Sequence, residues 1–375
     1  MFRKIIFWSH LVLGVSGGVI IFIMSATGVV LTYERQILEW QESRFTVVES
    51  HGASRLTTDQ ALSVVRQKHP DEHHFYLRQV NRPGAAIPVW AGRDSYLLHP
   101  YTGEILLTGP TTLSGFFRWN ENLHRWLLAD GSLRPITKNI TAYSNLVFLF
   151  LIITGLYLWL PKNMRWKVVK QSLLFRRQHN SRRSRYLNWH KVFGVWTLIP
   201  LFFIVCTATI FHFPWANKLL YSAYGEVIPA REQHPELEHL EDGKQSYETL
   251  FRIAQQHSNL HSHRPWYSMW MEVGETAGEV RFFIDATIGL HPEHAYSLYL
   301  DADTGDVVKA KTQADWSKGD RAWDVARYLH TGEYFGLPGQ TIAGLASLAA
   351  CILVFTGFFL SWKRLITPRL KARLT

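Results

Sequence analysis

Four long apolar stretches constrain this chain more than any other feature of its sequence. Each reaches the roughly 20 residues that an α-helix needs to cross a bilayer, so the sequence predicts four transmembrane helices. The third contains Pro200, which bends a membrane helix more often than it ends one. The stretches are Ile5–Tyr33, Ile136–Leu160, Val192–Phe213 and Pro338–Trp362.

The first stretch has an alternative interpretation as a cleaved signal peptide. Arg3 and Lys4 precede it, and the small residues of Ser-Ala-Thr-Gly lie near its end. Its apolar run is longer than that of a signal peptide, however, and its similarity to the third stretch favours a retained helix.

Basic residues predict the orientation of these helices. Residues 161–188 contain nine Lys or Arg and no Asp or Glu, and basic residues also flank the first and last stretches. Cytoplasmic segments of membrane proteins carry this excess, so both termini are expected inside and two long segments outside. Between two spans, a basic linker is better explained as a topology signal that contacts anionic lipid than as a nucleic-acid site. No nucleic-acid partner is expected.

Cysteine contributes little to the chemistry of this chain. Cys206 and Cys351 both fall inside apolar stretches. The sequence therefore predicts neither a disulfide framework nor a thiolate metal site.

The two halves of the chain share a series of similar motifs. His10 lies seventeen residues before Thr27, as His190 does before Thr207. "NLHRWL" and "RYLHTG" precede the second and fourth stretches, which end in "TGLYLWLPK" and "TGFFLSWKR". Both halves begin on the same side of the membrane, so the sequence predicts a parallel internal repeat about an axis along the membrane normal.

Each outer segment reads as a small α+β unit. "QALSVVRQKH" and "ETLFRIAQQH" have helical patterns, and alternating segments with Thr-Gly turns follow them, which predicts an antiparallel sheet. The fold expected is an α+β membrane protein with four transmembrane helices and two outer domains. Its segments are 1–33 (first helix), 34–135 (first outer domain with a pre-span helix), 136–160 (second helix), 161–188 (basic linker), 189–213 (third helix), 214–337 (second outer domain with a pre-span helix), 338–362 (fourth helix) and 363–375 (basic tail).

Four of the 18 histidines lie at the membrane and are paired by the repeat. His10 and His190 start the first and third helices, and His124 and His330 precede the second and fourth. Ionisable groups near a bilayer are costly and usually functional. Taken singly, each could instead bond a backbone carbonyl or a lipid headgroup. The histidines of "DEHHF", "PELEHLED" and "HSNLHSHR" lie among polar loop residues. A metal site in the last of these groups is a less favoured alternative.

Residues related by a two-fold axis can face each other across it, which is the arrangement that two imidazoles need to ligate a haem iron. His10 with His190 would hold one haem near the cytoplasmic side, and His124 with His330 another near the outer side. A binuclear metal centre is the rival, but it usually needs carboxylates, which the spans lack.

Three further residues complete the predicted haem sites. Gly14 and Gly194 follow the inner histidines by four residues and leave room for a macrocycle edge on the same helix face. His212 has no counterpart in the repeat and is an alternative outer ligand. From His190 to His212 a straight helix rises about 33 Å, so two such haems would carry electrons across the membrane.

With its "SHLVLG", "LHRWLL", "WHKVFG" and "YLHTG" motifs, and "YLLHPYTGEI" in an outer segment, the chain resembles the PepSY-associated transmembrane proteins. The resemblance covers nearly the whole chain and implies PepSY-like outer domains. Some members resemble inner-membrane reductases of ferric siderophores with two b-type haems, the ferrioxamine reductases among them, and others have no settled activity. It implies haem ligation by His10, His124, His190 and His330. One departure is Thr207-Ala-Thr, where Thr-Gly is expected, with an effect on helix packing more than on chemistry.

The leading hypothesis is therefore a haem-dependent reductase of the bacterial inner membrane. Electrons from a quinol or a cytoplasmic reductase would reach a periplasmic ferric siderophore, such as a hydroxamate of the ferrioxamine type, and release Fe(II). The chain has no nucleotide fingerprint, since "GVSGGV" lies inside a span. The alternatives are a haem-free scaffold that binds an outer partner, and a siderophore transporter. Spans without acids or an obvious broken-helix pair argue against transport.

Overall fold

The computed structural model describes residues 1–48, 54–161, 165–229, 245–261, 264–273 and 278–367. Parts of the predicted basic linker (162–164) and basic tail (368–375) lie outside these ranges. The chain divides into two compact units. The helical unit comprises Met1–Tyr33, Phe117–Glu226 and Ala322–Thr375, and the sheet unit comprises Glu34–Phe116 and Val227–Arg321.

The described residues form α-helices and β-strands in a mixed order. The helices are α1 (Phe2–Leu31), α2 (Glu34–Ser43), α3 (Thr58–Arg66), α4 (Thr112–Trp126), α5 (Arg134–Trp159), α6 (Trp166–Leu173), α7 (Arg182–Trp196), α8 (Leu198–His212), α9 (Pro214–Ser222), α10 (Tyr247–His261), α11 (Lys318–Thr331) and α12 (Gly336–Leu365). The strands are β1 (Phe75–Val80), β2 (Ile87–Ala91), β3 (Asp94–Leu98), β4 (Ile105–Thr108), β5 (Ser268–Val273), β6 (Glu279–Asp285), β7 (Ala295–Asp301) and β8 (Val307–Lys311).

Three helices, α1, α5 and α12, are each long and apolar enough to cross a membrane. The predicted third span differs from a single kinked helix, because α7 and α8 meet at an angle of 66°. Pro200 has no N–H to donate to the carbonyl of Trp196, so the helix loses a bond next to the break at Thr197. The estimate of about 33 Å between His190 and His212 assumed a straight helix. The bend shortens that separation.

Close packing and a buried amide hold the helical unit together. The α1 helix packs against α12 and α5, and α8 packs against α5. A Cβ added at Gly18 would lie 2.7 Å from the ring of Phe358, so only glycine fits this crossing without movement. Asn145, buried on α5, donates to the Val205 carbonyl and the Thr209 hydroxyl of α8, both at 3.0 Å. Small residues and inter-helical hydrogen bonds are the usual means of helix association in membranes.

Both expected outer domains contribute to one sheet, which corrects the prediction of two separate units. The eight strands are antiparallel in the order β4-β3-β2-β1-β5-β6-β7-β8. Strands β1 and β5 pair over their whole length, with Leu77 opposite Met271. We call this β1–β5 pairing the seam. Without the seam, each half of the sheet would leave a long apolar strand with unpaired N–H and C=O groups at its edge.

The core of the sheet unit lies between one face of the sheet and the helices α3 and α10. Alternate residues of each strand point to this face, as the two-residue period of a strand requires. Its fully buried side chains come from both halves of the chain, so neither half contains a core of its own. They include Leu62, Phe75, Leu77, Leu250, Met271 and Phe282.

The helices α3 and α10 cap each other. The Glu248 carboxylate accepts hydrogen bonds from the amide and the hydroxyl of Thr58, at 2.9 and 3.0 Å. In return, the Asp59 carboxylate accepts from the amides of Tyr247 and Glu248, at 3.0 and 2.9 Å. Carboxylates at a helix N-terminus satisfy free N–H groups and favour the helix dipole.

We expect Glu248→Ala to loosen the first turn of α3 rather than its own helix. The loss of this cap costs about 1 kcal/mol, and the Thr58 amide should exchange its hydrogen faster in the full chain. Asp59→Ala should have the converse effect on the Tyr247 amide. Glu104→Ala, in an exposed turn, is the control. If amide exchange became faster only in the helix that carries the substitution, the two helices would not cap each other.

Candidate functional site

Two of the four paired histidines line one cavity in the helical unit. His10 lies on α1 and His190 on α7, and both contribute to a cavity of about 700 Å³. Its walls are mostly apolar side chains from α1, α5, α7 and α12. This volume is within the usual range for pockets that hold a cofactor-sized molecule.

A threonine on another helix orients each of these imidazoles. The Nδ1 atom of His10 lies 2.8 Å from the hydroxyl of Thr154 on α5. The Nδ1 atom of His190 lies 2.9 Å from the hydroxyl of Thr356 on α12. Each histidine therefore ties its own helix to a second one.

The hydroxyl geometry determines which nitrogen of each ring carries the proton. Thr154 and Thr356 donate to the carbonyls of the residues four positions earlier, at 2.7 and 2.8 Å. A hydroxyl has one hydrogen, so its oxygen can only accept from the imidazole. Nδ1 is then the N–H donor and Nε2 carries the free lone pair. In the described part of the chain, neither Nε2 atom makes a hydrogen bond.

His124 and His330, on α4 and α11, have the same arrangement with one difference. His124 Nδ1 lies 2.8 Å from the hydroxyl of Thr27, which donates to the carbonyl four residues earlier. His330 Nδ1 lies 2.9 Å from the carbonyl of Ile204 and 3.3 Å from the hydroxyl of Thr207. A carbonyl only accepts, so His330 also carries its proton on Nδ1. Among the residues that the structure describes, Nε2 makes no hydrogen bond in any of the four histidines.

Small residues follow the partner threonines. A Cβ added at Gly155 would lie 3.5 Å from Cε1 of His10, and one at Gly357 would lie 3.6 Å from Cε1 of His190. A Cβ added at Gly28 would lie 3.7 Å from Cε1 of His124. Since these are ordinary van der Waals distances, alanine also fits, which explains how Ala208 takes the fourth position. At this position the Ile204 carbonyl is nearer to His330 Nδ1 than the Thr207 hydroxyl is.

The structure brings His212 close to the second pair. When protonated, His124, His330 and His212 would repel one another, and Arg125 and Lys138 add further positive charge. Within the described ranges, no group of three or more His, Cys, Asp or Glu side chains is arranged to hold a metal ion.

Gly14 and Gly194, which the sequence predicts beside a macrocycle edge, line the cavity. A Cβ on either would meet a leucine side chain at 3.7 Å, whereas a Cβ on Gly155 or Gly357 would meet a histidine ring. The sequence did not single out Gly155 and Gly357. The Thr-Gly dipeptides at the ends of the second and fourth stretches were the signal that would have found them.

We expect Thr356→Val, which keeps the size of the side chain, to remove the acceptor for His190 Nδ1–H. An unpaired buried donor costs about 1–3 kcal/mol, so the ring should shift toward the other tautomer or rotate. The ¹⁵N spectrum of histidine-labelled protein, compared with His190→Ala, reports the tautomer. Thr356→Ser keeps the hydroxyl and should leave the signal unchanged. An unaltered signal in Thr356→Val would show that the hydroxyl does not set the tautomer.

A family model described as a PepSY-associated TM region matches residues 7–364 of the chain. No curated protein matches it. The matched range includes all four paired histidines and their partners.

Proposed function

Because the chain belongs to the PepSY-associated transmembrane family, we propose that it is a membrane oxidoreductase with two b-type haems. In this proposal it passes electrons from the cytoplasmic side of the bacterial inner membrane to a periplasmic ferric siderophore. Reduction of Fe(III) to Fe(II) takes one electron and weakens the binding of iron by hard oxygen ligands, which releases the metal.

The observation that carries this proposal is that the four histidines have the same tautomer and the same pattern of hydrogen bonding. Each lies between helices, donates from Nδ1 to a fixed acceptor and leaves Nε2 free. A second-shell acceptor of this kind sets the tautomer and the orientation of metal-ligating histidines. Ordinary packing would not require the same nitrogen to be free at all four positions.

The residues present fit a haem at the first pair. His10 and His190 line a mostly apolar cavity of about 700 Å³, and the glycines beside their rings keep the walls thin. We assign His10 and His190 as the ligands of one haem, and His124 and His330 as those of the other. His212 lies beside the second pair as an alternative ligand. When bound, haem supplies the one-electron chemistry that no side chain of the chain provides.

The protein's own residues would bind the cofactor, orient the histidine rings and shield the site from water. The four threonine and carbonyl acceptors hold the rings in one tautomer, so that Nε2 is ready without a proton to lose. The apolar walls exclude water, and a dry surrounding is one of the factors by which a protein adjusts a redox potential. No acid–base pair is needed, since electron transfer alone changes the iron.

The parallel repeat and the topology belong to the same proposal. The symmetric strand order, the reciprocal caps and the matched histidine–threonine pairs support two related halves. Under this repeat, each half supplies one PepSY-like part of the sheet unit. The excess of Lys and Arg between the second and third spans supports cytoplasmic termini. The donor would be a quinol or a cytoplasmic reductase that approaches from this basic side.

A reduced-minus-oxidised absorption spectrum of the detergent-purified full chain, with a pyridine haemochrome count, tests the proposal. We expect two b-type haems for each chain, and oxidation of the reduced protein when a ferric hydroxamate siderophore is added. A folded, colourless protein would disprove the redox role and favour a binding scaffold.

The bent pair α7–α8 favours a second candidate function, transport. The sequence argued against transport partly because no broken helix was evident, and the 66° bend at Thr197 removes that objection. Transporters often form substrate sites at interrupted helices. Uptake of intact ferric siderophore by proteoliposomes, without formation of Fe(II), would support this candidate over the reductase.

A further inference from the structure

Five basic side chains share the cavity of His10 and His190. Their guanidinium and ammonium groups contrast with walls that are otherwise mostly apolar. The five are Arg3, Lys4, Arg183, Lys191 and Arg364.

These cations gather at one end of the cavity. Arg3 and Lys4 begin α1 and Arg364 is near the last residue of α12, while Ile21 and Ala350 line the cavity further along the same two helices. From Arg3 to Ile21 the α1 helix rises about 27 Å, and His10 lies about 10 Å from Arg3 on this scale. The cavity thus has a basic end, defined by the five cations, and an apolar remainder.

The neighbouring helices offer no carboxylate to neutralise the basic end. Residues 1–33, 136–213 and 338–375 contain no Asp or Glu. Arg3 donates to the carbonyls of Leu158 and Leu160, at 2.9 and 3.0 Å, which fixes its position without compensating its charge. Clustered cations at the border of an apolar cavity repel one another unless an anion binds between them. An anionic molecule bound at the basic end would supply the counter-charge that these segments lack.

We infer that the cavity selects an amphiphilic ligand whose carboxylates bind at the basic end, with Lys191 and Arg364 as its principal anchors. Lys191 adjoins the ligand His190 in α7, and Arg364 is held against the rings of Phe7 and Trp8 at 4.5 and 5.4 Å. This inference rests on the proposed function, in which the ligand is haem and the anions are its two carboxylate side chains.

The same anionic chemistry has a second source, the phosphates of membrane lipids. A lipid headgroup would neutralise the cations without any dependence on the carboxylates of the cavity ligand. An experiment that varies only those carboxylates therefore separates the two sources.

The test is a titration of the haem-depleted full chain, in nanodiscs of phosphatidylcholine, with iron protoporphyrin IX and with its dimethyl ester. The two differ only at their two carboxylate side chains, which the ester makes neutral and one methyl group larger each. We expect the wild-type protein to bind the free acid at least tenfold more tightly, since each charge-assisted hydrogen bond contributes about tenfold in affinity or more. Equal affinities would overturn the inference, whereas binding of neither compound would refute the proposed function itself.

Variants at the basic end provide the matched comparison. Lys191→Gln with Arg364→Gln should weaken binding of the free acid about tenfold or more and leave that of the ester unchanged. Lys363→Gln removes the same charge from the neighbouring position of α12, which does not line the cavity, and should have no effect. The same variants in nanodiscs that also contain phosphatidylglycerol test the lipid source. If the double variant changes only the amount of phosphatidylglycerol bound to the protein, the cations bind lipid and the inference is wrong.

Discussion

His10→Ala should reduce the haem content of the purified protein from two to one for each chain. The cavity beside α1 and α7 would lose one of its two Nε2 ligands, and the remaining His190 would hold an iron from one side only. His190→Ala should have the same effect. The two changes together should cost no more than either alone, because they remove the same site. A pyridine haemochrome count on each variant measures the outcome.

His212→Ala is the control for this experiment. His212 lies near the second pair but is not assigned as a ligand, so its replacement should leave both haems in place. A loss of one haem in His212→Ala, with retention in His124→Ala or His330→Ala, would reassign the second site. Full haem content in both His10→Ala and His190→Ala would contradict the first site.

Leu77→Ala should destabilise the sheet unit by about 2–5 kcal/mol, the usual range for a buried leucine. Leu77 is fully buried on β1, the strand that joins both halves of the sheet through β2 and β5. A cavity there weakens packing on both sides of the seam. The melting temperature, followed by amide exchange of the strands in the full chain, measures the effect.

The neighbouring residue provides the matched control. Tyr76 lies on the same strand but points to the opposite face, where its side chain is 41% exposed. Its hydroxyl donates to Glu272 at 3.1 Å, so Tyr76→Ala should cost only about 1 kcal/mol. Equal losses from the two variants would indicate that burial at the seam does not determine stability. The haem content should remain unchanged in both.

The sequence predicted the membrane helices from length and apolarity, and α1, α5 and α12 satisfy the same criteria in the structure. It did not predict the break at Thr197, because a proline in an apolar stretch is compatible with a small kink or a sharp bend. The choice depends on which neighbouring helices pack against each half. The order of apolar and polar residues in the sequence does not show which helices pack together.

The repeat in the sequence identified the four histidines. It did not identify the hydrogen-bond acceptors of their Nδ1 atoms. His10 bonds Thr154 of another helix and not Thr27 of its own. Which helix faces which is a tertiary property, so spacing within one helix cannot identify the partner. The seam between β1 and β5 was missed for the same reason, since alternation predicts strands but not which edges meet.

The seam and the reciprocal caps place a timing requirement on synthesis of the chain. Thr58 and Glu248, which meet at the caps, are 190 residues apart. At 5–20 residues per second, roughly 10–40 s separate their emergence from the ribosome. During that interval β1 is an open edge with apolar side chains, and its partner has not been made. The first half of the sheet therefore depends on protection from other chains until the second half arrives.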